Sequence, residues 1–336
     1  MTSSMYWVPH DFTGYNILVT GASGVVGSGV AQALRDAGAD VTVLQRSASG
    51  LEGVREIQGT VTDPATAHRA VQGIDTVVHI AAKVSVSGPL KDYEHVNVEG
   101  TRTMLTAAQE AGVSRWIHIS SPSVAHSGSS IIGADADPAD PDTARGNYAA
   151  TKAAGELLAL AADSTEFRVL VLRPHLMWGP GDTQLTERII DRARRNRLPL
   201  LDGGTALVDT LFLANAVEAI VTAVHAADTT HGEALVLTNG QPRPIGEMIR
   251  RIAVAGGAKE PVLDLPSGLA KTAGSIIESL WDAETRGDEP PITRFLAEQM
   301  STAHWFDQRR TQQVLQWKPR ISLEEGFQLT QQYYGA

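Results

Sequence analysis

The chain has no cysteine among its 336 residues. That absence excludes a disulfide framework, a thiolate nucleophile, an iron–sulfur cluster and a cysteine-ligated zinc site, and it fits a cytoplasmic protein. Positive charge is also in short supply: 28 lysines and arginines face 38 acids, leaving a net charge of −10. A general phosphate-backbone binder would show the opposite balance, so no nucleic-acid partner is expected. No run of about 18 apolar residues occurs; the best stretches, 157–162 and 219–227, are short or interrupted by polar residues, and no membrane span is expected. The ten histidines include no pair at helical metal-ligand spacing with a carboxylate, so no metal is expected. Internal repeats and low-complexity tracts are absent. Residues 1–13 lack the charged start and apolar run of a secretion signal and read as a flexible lead-in. What remains is a globular composition, 43% apolar and 20% charged, long enough for about two domains at roughly 150 residues each.

The order of elements follows from periodicity. Ile17-Leu18-Val19 runs into Gly21-Ala22-Ser23-Gly24, after which Val25, Val26, Val30, Ala33 and Leu34 recur at helical spacing. Further short β-branched or apolar runs lie at 41–44, 54–58, 76–80, 116–119 and 169–172. Amphipathic stretches at 65–71, 98–111 and 148–161 lie between them, with Gly73 and Gly112 placed as C-terminal stops. Strands alternating with helices predict an α/β fold with a doubly wound parallel sheet. After Pro174 glycine and proline break the rhythm. The expected division is therefore a dinucleotide-binding domain over 14–176, rejoined by 207–238, and a smaller C-terminal substrate domain from 177–206 and 239–336.

Thr20-Gly21-Ala22-Ser23-Gly24-Val25-Val26-Gly27 spaces three glycines by three between a strand and a helix. Glycine alone could serve only the turn. In this setting it also lets a pyrophosphate approach the exposed amides of the helix N-terminus, which points to a dinucleotide. Folds that bind NAD usually place an acid at the end of the second strand. Here Gln45 and Arg46 stand there, and an arginine suits a 2′-phosphate. NADP(H) is favoured over NAD(H), although Arg46 could instead be a solvated surface residue.

Tyr148 and Lys152 are four apart in a helical stretch and share one face. An ammonium beside a phenol favours the phenolate, which predicts a lowered tyrosine pKa and a general acid and base. A surface pair is the bland alternative. Ser120 and Ser121 follow the 116–119 strand, at the edge where open α/β sheets bind ligands.

These motifs, together with His79-Ile80-Ala81-Ala82, Asn97-Val98-Glu99-Gly100-Thr101 and Leu172-Arg173-Pro174, resemble the extended short-chain dehydrogenase/reductases in content and order through most of the chain. The resemblance implies a Rossmann fold in which Ser121 polarises the substrate oxygen, Tyr148 transfers the proton, and Lys152 holds the nicotinamide ribose and tunes Tyr148. Cofactor contacts are expected from Gly21, Ser23, Gly24, Val25, Val26, Gly27, Gln45, Arg46, Thr60, Val61, Ala81, Ala82, Lys83, Ser120, Tyr148, Lys152 and Pro174. Asn97 would support the site and His79 would contribute mainly backbone. Substrate contacts are expected from Val84, Ser85, Ser123, His175, Met177 and Trp178.

Pro290-Pro291-Ile292-Thr293-Arg294 and the ending from Trp305-Phe306-Asp307 to Gln316-Trp317-Lys318-Pro319 resemble the 3β-hydroxysteroid dehydrogenase and 2-alkyl-3-oxoalkanoate reductase branch. That branch handles bulky apolar ketones and secondary alcohols. Gln45-Arg46, where the steroid enzymes commonly carry an acid, favours the reductases. A 3β-hydroxysteroid dehydrogenase remains an alternative, as does a nucleotide-sugar epimerase or dehydratase using Arg188, Arg192, Arg194, Arg195 and Arg197, although these spread round a helix as a solvated face would. A non-catalytic NADP sensor would not need Ser121, Tyr148 and Lys152 together. Leu269, Ala273, Ile276, Ile277, Leu280 and Trp281 form an apolar stripe, read as a helix packed on the domain core, with a lid over an apolar substrate or a peripheral membrane contact as the functional alternatives. A homodimer through the helices at 98–111 and 148–162 is expected by analogy.

Overall fold

The computed structural model describes residues 8, 10–85, 88–270, 272, 274 and 294–335. Residues 1–7, most of the apolar stripe (Ala273, Ile276, Ile277, Leu280 and Trp281) and Pro290–Thr293 lie outside the described residues.

Seven parallel strands form the main sheet, in the order β12-β7-β5-β4-β1-β2-β3. They are β1 (Asn16–Thr20), β2 (Asp40–Gln45), β3 (Arg55–Gln58), β4 (Thr76–His79), β5 (Arg115–Ile119), β7 (Arg168–Pro174) and β12 (Glu233–Leu237). The chain reverses direction across the sheet between β1 and β4, which opens a crevice at the strands' carboxyl ends. This is the expected doubly wound α/β arrangement. Helices cover both faces, as the uninterrupted apolar strands require. On one face α1 (Val25–Asp36) packs against α7 (Leu213–Ala226), over Ile17, Val19, Val30, Leu34, Val217 and Ile220. On the other, α2 (Pro64–Ala70), α4 (Gly100–Glu110) and α5 (Gly146–Ala161) cover Leu18, Val77, Trp116 and Val169.

The helix expected at 98–111 is more complex. A short helix, α3 (Leu90–Tyr93), passes through a π-helical turn at Glu94–Glu99 into α4. Asn97 therefore sits inside an irregular turn rather than at a helix start, an arrangement frequent at functional sites.

A second core gathers Trp178, Ile190, Val208, Phe212, Met248, Ile252 and Phe327. It lies under α6 (Thr186–Arg194) and α8 (Ile245–Ala255). Three small sheets belong to this half: β13 (Arg243–Pro244), β10 (Leu207–Val208), β15 (His304–Phe306) and β6 (Ile131–Ala134) in that order, then β11 (Leu211–Phe212) with β8 (Met177–Trp178), and β14 (Asp264–Leu265) with β9 (Leu200–Leu201). Of 207–238, α7 and β12 join the main sheet, whereas Leu207–Val208 pairs in the four-stranded sheet instead. The lead-in also differs from expectation. Phe12 is wholly buried, packs against Tyr15 and His225, and donates its N–H to Ala37 O at 2.8 Å. An aromatic ring that seals the base of α1 and α7 fixes this part of the segment.

Candidate active site

The turn after β1 is shaped by close backbone approach. Gly21 has φ +78°, and a Cβ there would stand 2.9 Å from Ala81 N. A Cβ on Gly27 would meet Gly21 O at 2.3 Å. Thr20 draws the two strand ends together: its Oγ1 accepts from Ile80 N and Ala81 N, each at 3.1 Å. This brings the 81–83 backbone beside the turn. Gly24 is the N-cap of α1 but offers no side-chain cap, and no acid occupies the first helical turn. The first amides of a helix have no partner within it, and with the dipole uncompensated they fit an anionic diphosphate.

At the end of β2, Gln45 is buried and its Nε2 donates to Glu56 Oε2 at 3.3 Å, while its Oε1 has no partner. Glu56 also accepts from Ser49 N at 2.9 Å, which ties down the loop that carries the exposed Arg46. The Ser49 hydroxyl, and then the Ser49 amide, hold the Glu56 carboxyl below its usual range. Thr60 bonds Thr62 at 3.0 Å, and Val61 is buried beneath. One buried acceptor without a partner, Gln45 Oε1, and the exposed cation of Arg46 fit the adenosine end of a dinucleotide.

Ser121, Tyr148 and Lys152 converge where β5 ends. Ser121 caps the 3₁₀ turn Pro122–Ala125 and stands close enough to Tyr148 to pull its pKa down. The expected effect of Lys152 on Tyr148 needs correction. The lysine is buried and its Nζ donates to Ile119 O at 2.5 Å. Burial pushes the Tyr148 phenol up to about 12, with Ser121 pulling the other way. The ammonium donates to the β5 carbonyl and forms no hydrogen bond with the phenol. Burial also lowers Lys152 to about 8, opposed by the Glu156 carboxylate. Glu156 is wholly buried and forms a two-point ion pair with Arg173, at 2.5 and 3.1 Å. The four-residue step from Lys152 to Glu156 puts the carboxylate on the lysine's helix face, whereas its pairing with Arg173 comes only from the fold.

Asn97 joins the halves of the site. Its Oδ1 accepts from Lys83 N at 2.7 Å, and its Nδ2 donates to Lys83 O at 3.2 Å and Thr151 Oγ1 at 3.1 Å. Lys83 Nζ lies 3.6 Å from Asp92, and Ser85 Oγ bonds the Tyr93 hydroxyl at 2.8 Å. Val84 stands 48% exposed at this rim, and Met177 is partly buried. Ser120 is buried with a free hydroxyl.

Two expected substrate contacts lie elsewhere. Trp178 is wholly buried in the second core against Phe212 and Phe327, and its Nε1 donates to Thr210 Oγ1 at 3.0 Å. Packing between two aromatic rings removes it from the pocket wall. His175 is buried as well; its Nδ1 bonds Asp209 O at 2.7 Å, and it meets Phe306 and His304. Ser123 turns toward Ser121. Of the arginines on and just after α6, Arg188 donates to Gln184, Arg194 to Gly256 O, and Arg195 pairs with Asp191.

Residues 17–237 match the NAD dependent epimerase/dehydratase family. The chain belongs to this family of extended short-chain dehydrogenase/reductases. It is 36% identical over 319 residues to the 2-alkyl-3-oxoalkanoate reductase of Stenotrophomonas maltophilia (strain K279a), covering 92% of this chain and 96% of that one. It is 29% identical over 319 residues to a 4-hydroxy-2-methyl-3-oxo-4-farnesyl-3,4-dihydroquinoline-1-oxide ketoreductase of Stigmatella aurantiaca, covering 94% and 95%. The crystal structure of gox2253 superposes with a TM-score of 0.77 at 25% identity, covering 96% of this chain and 98% of that one. As a member of this family the chain is an NAD(P)-dependent oxidoreductase. Among the described residues no helix is long and apolar enough to cross a membrane.

Proposed function

We propose that this oxidoreductase reduces a bulky apolar ketone of the 2-alkyl-3-oxo acid kind to a secondary alcohol, with NADP(H) favoured over NAD(H). One observation supports this above the others: Ser121, Tyr148 and Lys152 meet at the carboxyl end of β5, in a chain 36% identical to a 2-alkyl-3-oxoalkanoate reductase.

The Gly21–Gly27 turn and the first amides of α1 would hold the diphosphate, Arg46 a 2′-phosphate, and Lys152 the nicotinamide ribose. The bound nicotinamide supplies the hydride that adds to the carbonyl carbon. Ser121 donates to the carbonyl oxygen as it gains negative charge. Tyr148, protonated at neutral pH because burial raises it to about 12, gives its proton to that oxygen and completes the alcohol. Lys152 titrates near 8 and is largely cationic at neutral pH, the form that donates to the Ile119 carbonyl and would donate to the ribose. Val84, Ser85 and Met177 would line the mouth of an apolar pocket.

The test is oxidation of NADPH and, in parallel, NADH with a 2-alkyl-3-oxo acid or ester, a 3-ketosteroid and simple aryl ketones. Turnover of the oxo acid with NADPH at the higher kcat/KM is expected. No oxidation of either cofactor with any of the three, together with conversion of a nucleotide sugar assayed by its products, would replace this reading with that of an epimerase or dehydratase.

A further inference from the structure

Ser123 stands two residues beyond Ser121 in the Pro122–Ala125 turn. The turn is fixed from below, since Pro122 and Val124 are buried and Val124 O accepts from Asp140 N at 3.0 Å. Two hydrogen bonds run from Ser123 to Ser121 Oγ: the N–H at 3.3 Å and the hydroxyl at 2.9 Å. Capping a helical turn requires only the N–H bond. The hydroxyl bond is additional, and its effect follows from counting. A serine hydroxyl has two acceptor lone pairs and a single hydrogen. With both lone pairs taken by Ser123, the Ser121 hydrogen is left for a group outside the turn, on the side where Ser121 pulls the Tyr148 phenol down.

We propose that Ser123 is a positioning residue for the reduction: by filling both acceptor sites of Ser121 Oγ it makes Ser121 a donor toward the carbonyl oxygen and Tyr148. This rests on the proposed ketone reduction. A hydroxyl that itself accepts a hydrogen bond is a stronger donor, and the gain is largest while negative charge builds on the oxygen it faces. Without the Ser123 hydroxyl, Ser121 has a free lone pair and can accept from Tyr148, which misdirects the proton meant for substrate.

The experiment is a cycle of Ser123→Ala, Ser121→Ala and the double variant, with Ser123→Thr as the variant that keeps the hydroxyl. Ser123→Ala is expected to lower kcat about tenfold, less than the 10²–10³ of losing a whole oxyanion donor, with KM and the NADPH Kd within about twofold. Ser123→Thr should restore kcat, and in the Ser121→Ala background Ser123→Ala should cost nothing further. A second readout needs no substrate. A fluorinated tyrosine incorporated at position 148 should titrate higher in Ser123→Ala than in the parent, because its neutral phenol gains an acceptor in Ser121 while Ser121, no longer accepting from the Ser123 hydroxyl, becomes a weaker donor to the phenolate. Unchanged kcat and unchanged titration would overturn the proposal, as would an equal loss with and without Ser121. If the parent turns over no ketone, the proposed reaction falls, and the titration still decides the role of Ser123.

Discussion

At the scale of single residues, the site divides the work between groups whose protonation is set by burial. Tyr148 holds its proton firmly before substrate arrives, which suits delivery to a carbonyl oxygen. Tyr148→Phe is expected to lower kcat at least about a hundredfold, the value of a positioned acid, while NADPH titrated by fluorescence still binds within about threefold. Unchanged turnover would remove Tyr148 from the chemistry. Arg46 carries the separate question of cofactor choice. It is exposed on a loop that Glu56 holds through Ser49, so its loss should leave the fold intact. Arg46→Ala is expected to raise KM for NADPH about tenfold, the worth of one charge-assisted phosphate contact, and KM for NADH about twofold or less. Equal effects on both would undo the preference for the phosphorylated cofactor.

At the scale of elements, the glycine turn tolerates no side chain at its tightest point. Gly27→Ala would push a Cβ to 2.3 Å from Gly21 O, a backbone atom that cannot swing aside. We expect a loss of about 1–3 kcal/mol in stability, typical of overpacking, visible as a lower Tm, and at least a tenfold weaker Kd for NADPH. A normal Kd would show that the turn relaxes. Elements of this kind were legible in the sequence because local chemistry dictates them: β1, its glycines and α1 follow from an apolar run, three spaced glycines and a helical stripe. The Tyr148 and Lys152 spacing was legible for the same reason. Direction was not. Four-residue spacing puts Lys152 on the face of Tyr148, but only the fold brings Ile119 O to its ammonium and Arg173 to Glu156. Trp178 misled in a similar way, since its neighbours Phe212 and Phe327 lie 34 and 149 residues further along the chain. The π-helical turn at Asn97 likewise answers to Lys83 and Thr151, not to its own neighbours.

At the scale of the whole molecule, buried histidines should govern the response to acid. Burial lowers His79 to about 3, His175 to about 4 and His304 to about 3, and takes His118 well below its ordinary value. Each is neutral in the folded protein at pH 5 and charged in the unfolded chain. The unfolded state then binds more protons, and stability falls as pH drops from about 6.5 toward 3. Two carboxyls act in the opposite sense: burial raises Asp209 to about 6 and Glu218 to about 7, so they take up protons in the folded state first and gain stability on mild acidification. Their gains fall mainly between about pH 7 and 4 and partly cancel the onset of histidine charging, whereas four histidines continue to lose stability below that range. Urea midpoints should therefore change little between pH 7 and 6 and fall progressively from pH 6 to 4. His118 makes the sharpest test, because neither ring nitrogen has a partner within the fold. His118→Phe, similar in shape and unable to take a proton, is expected to flatten the acid limb. A limb of unchanged steepness in that variant would place the acid sensitivity in other groups.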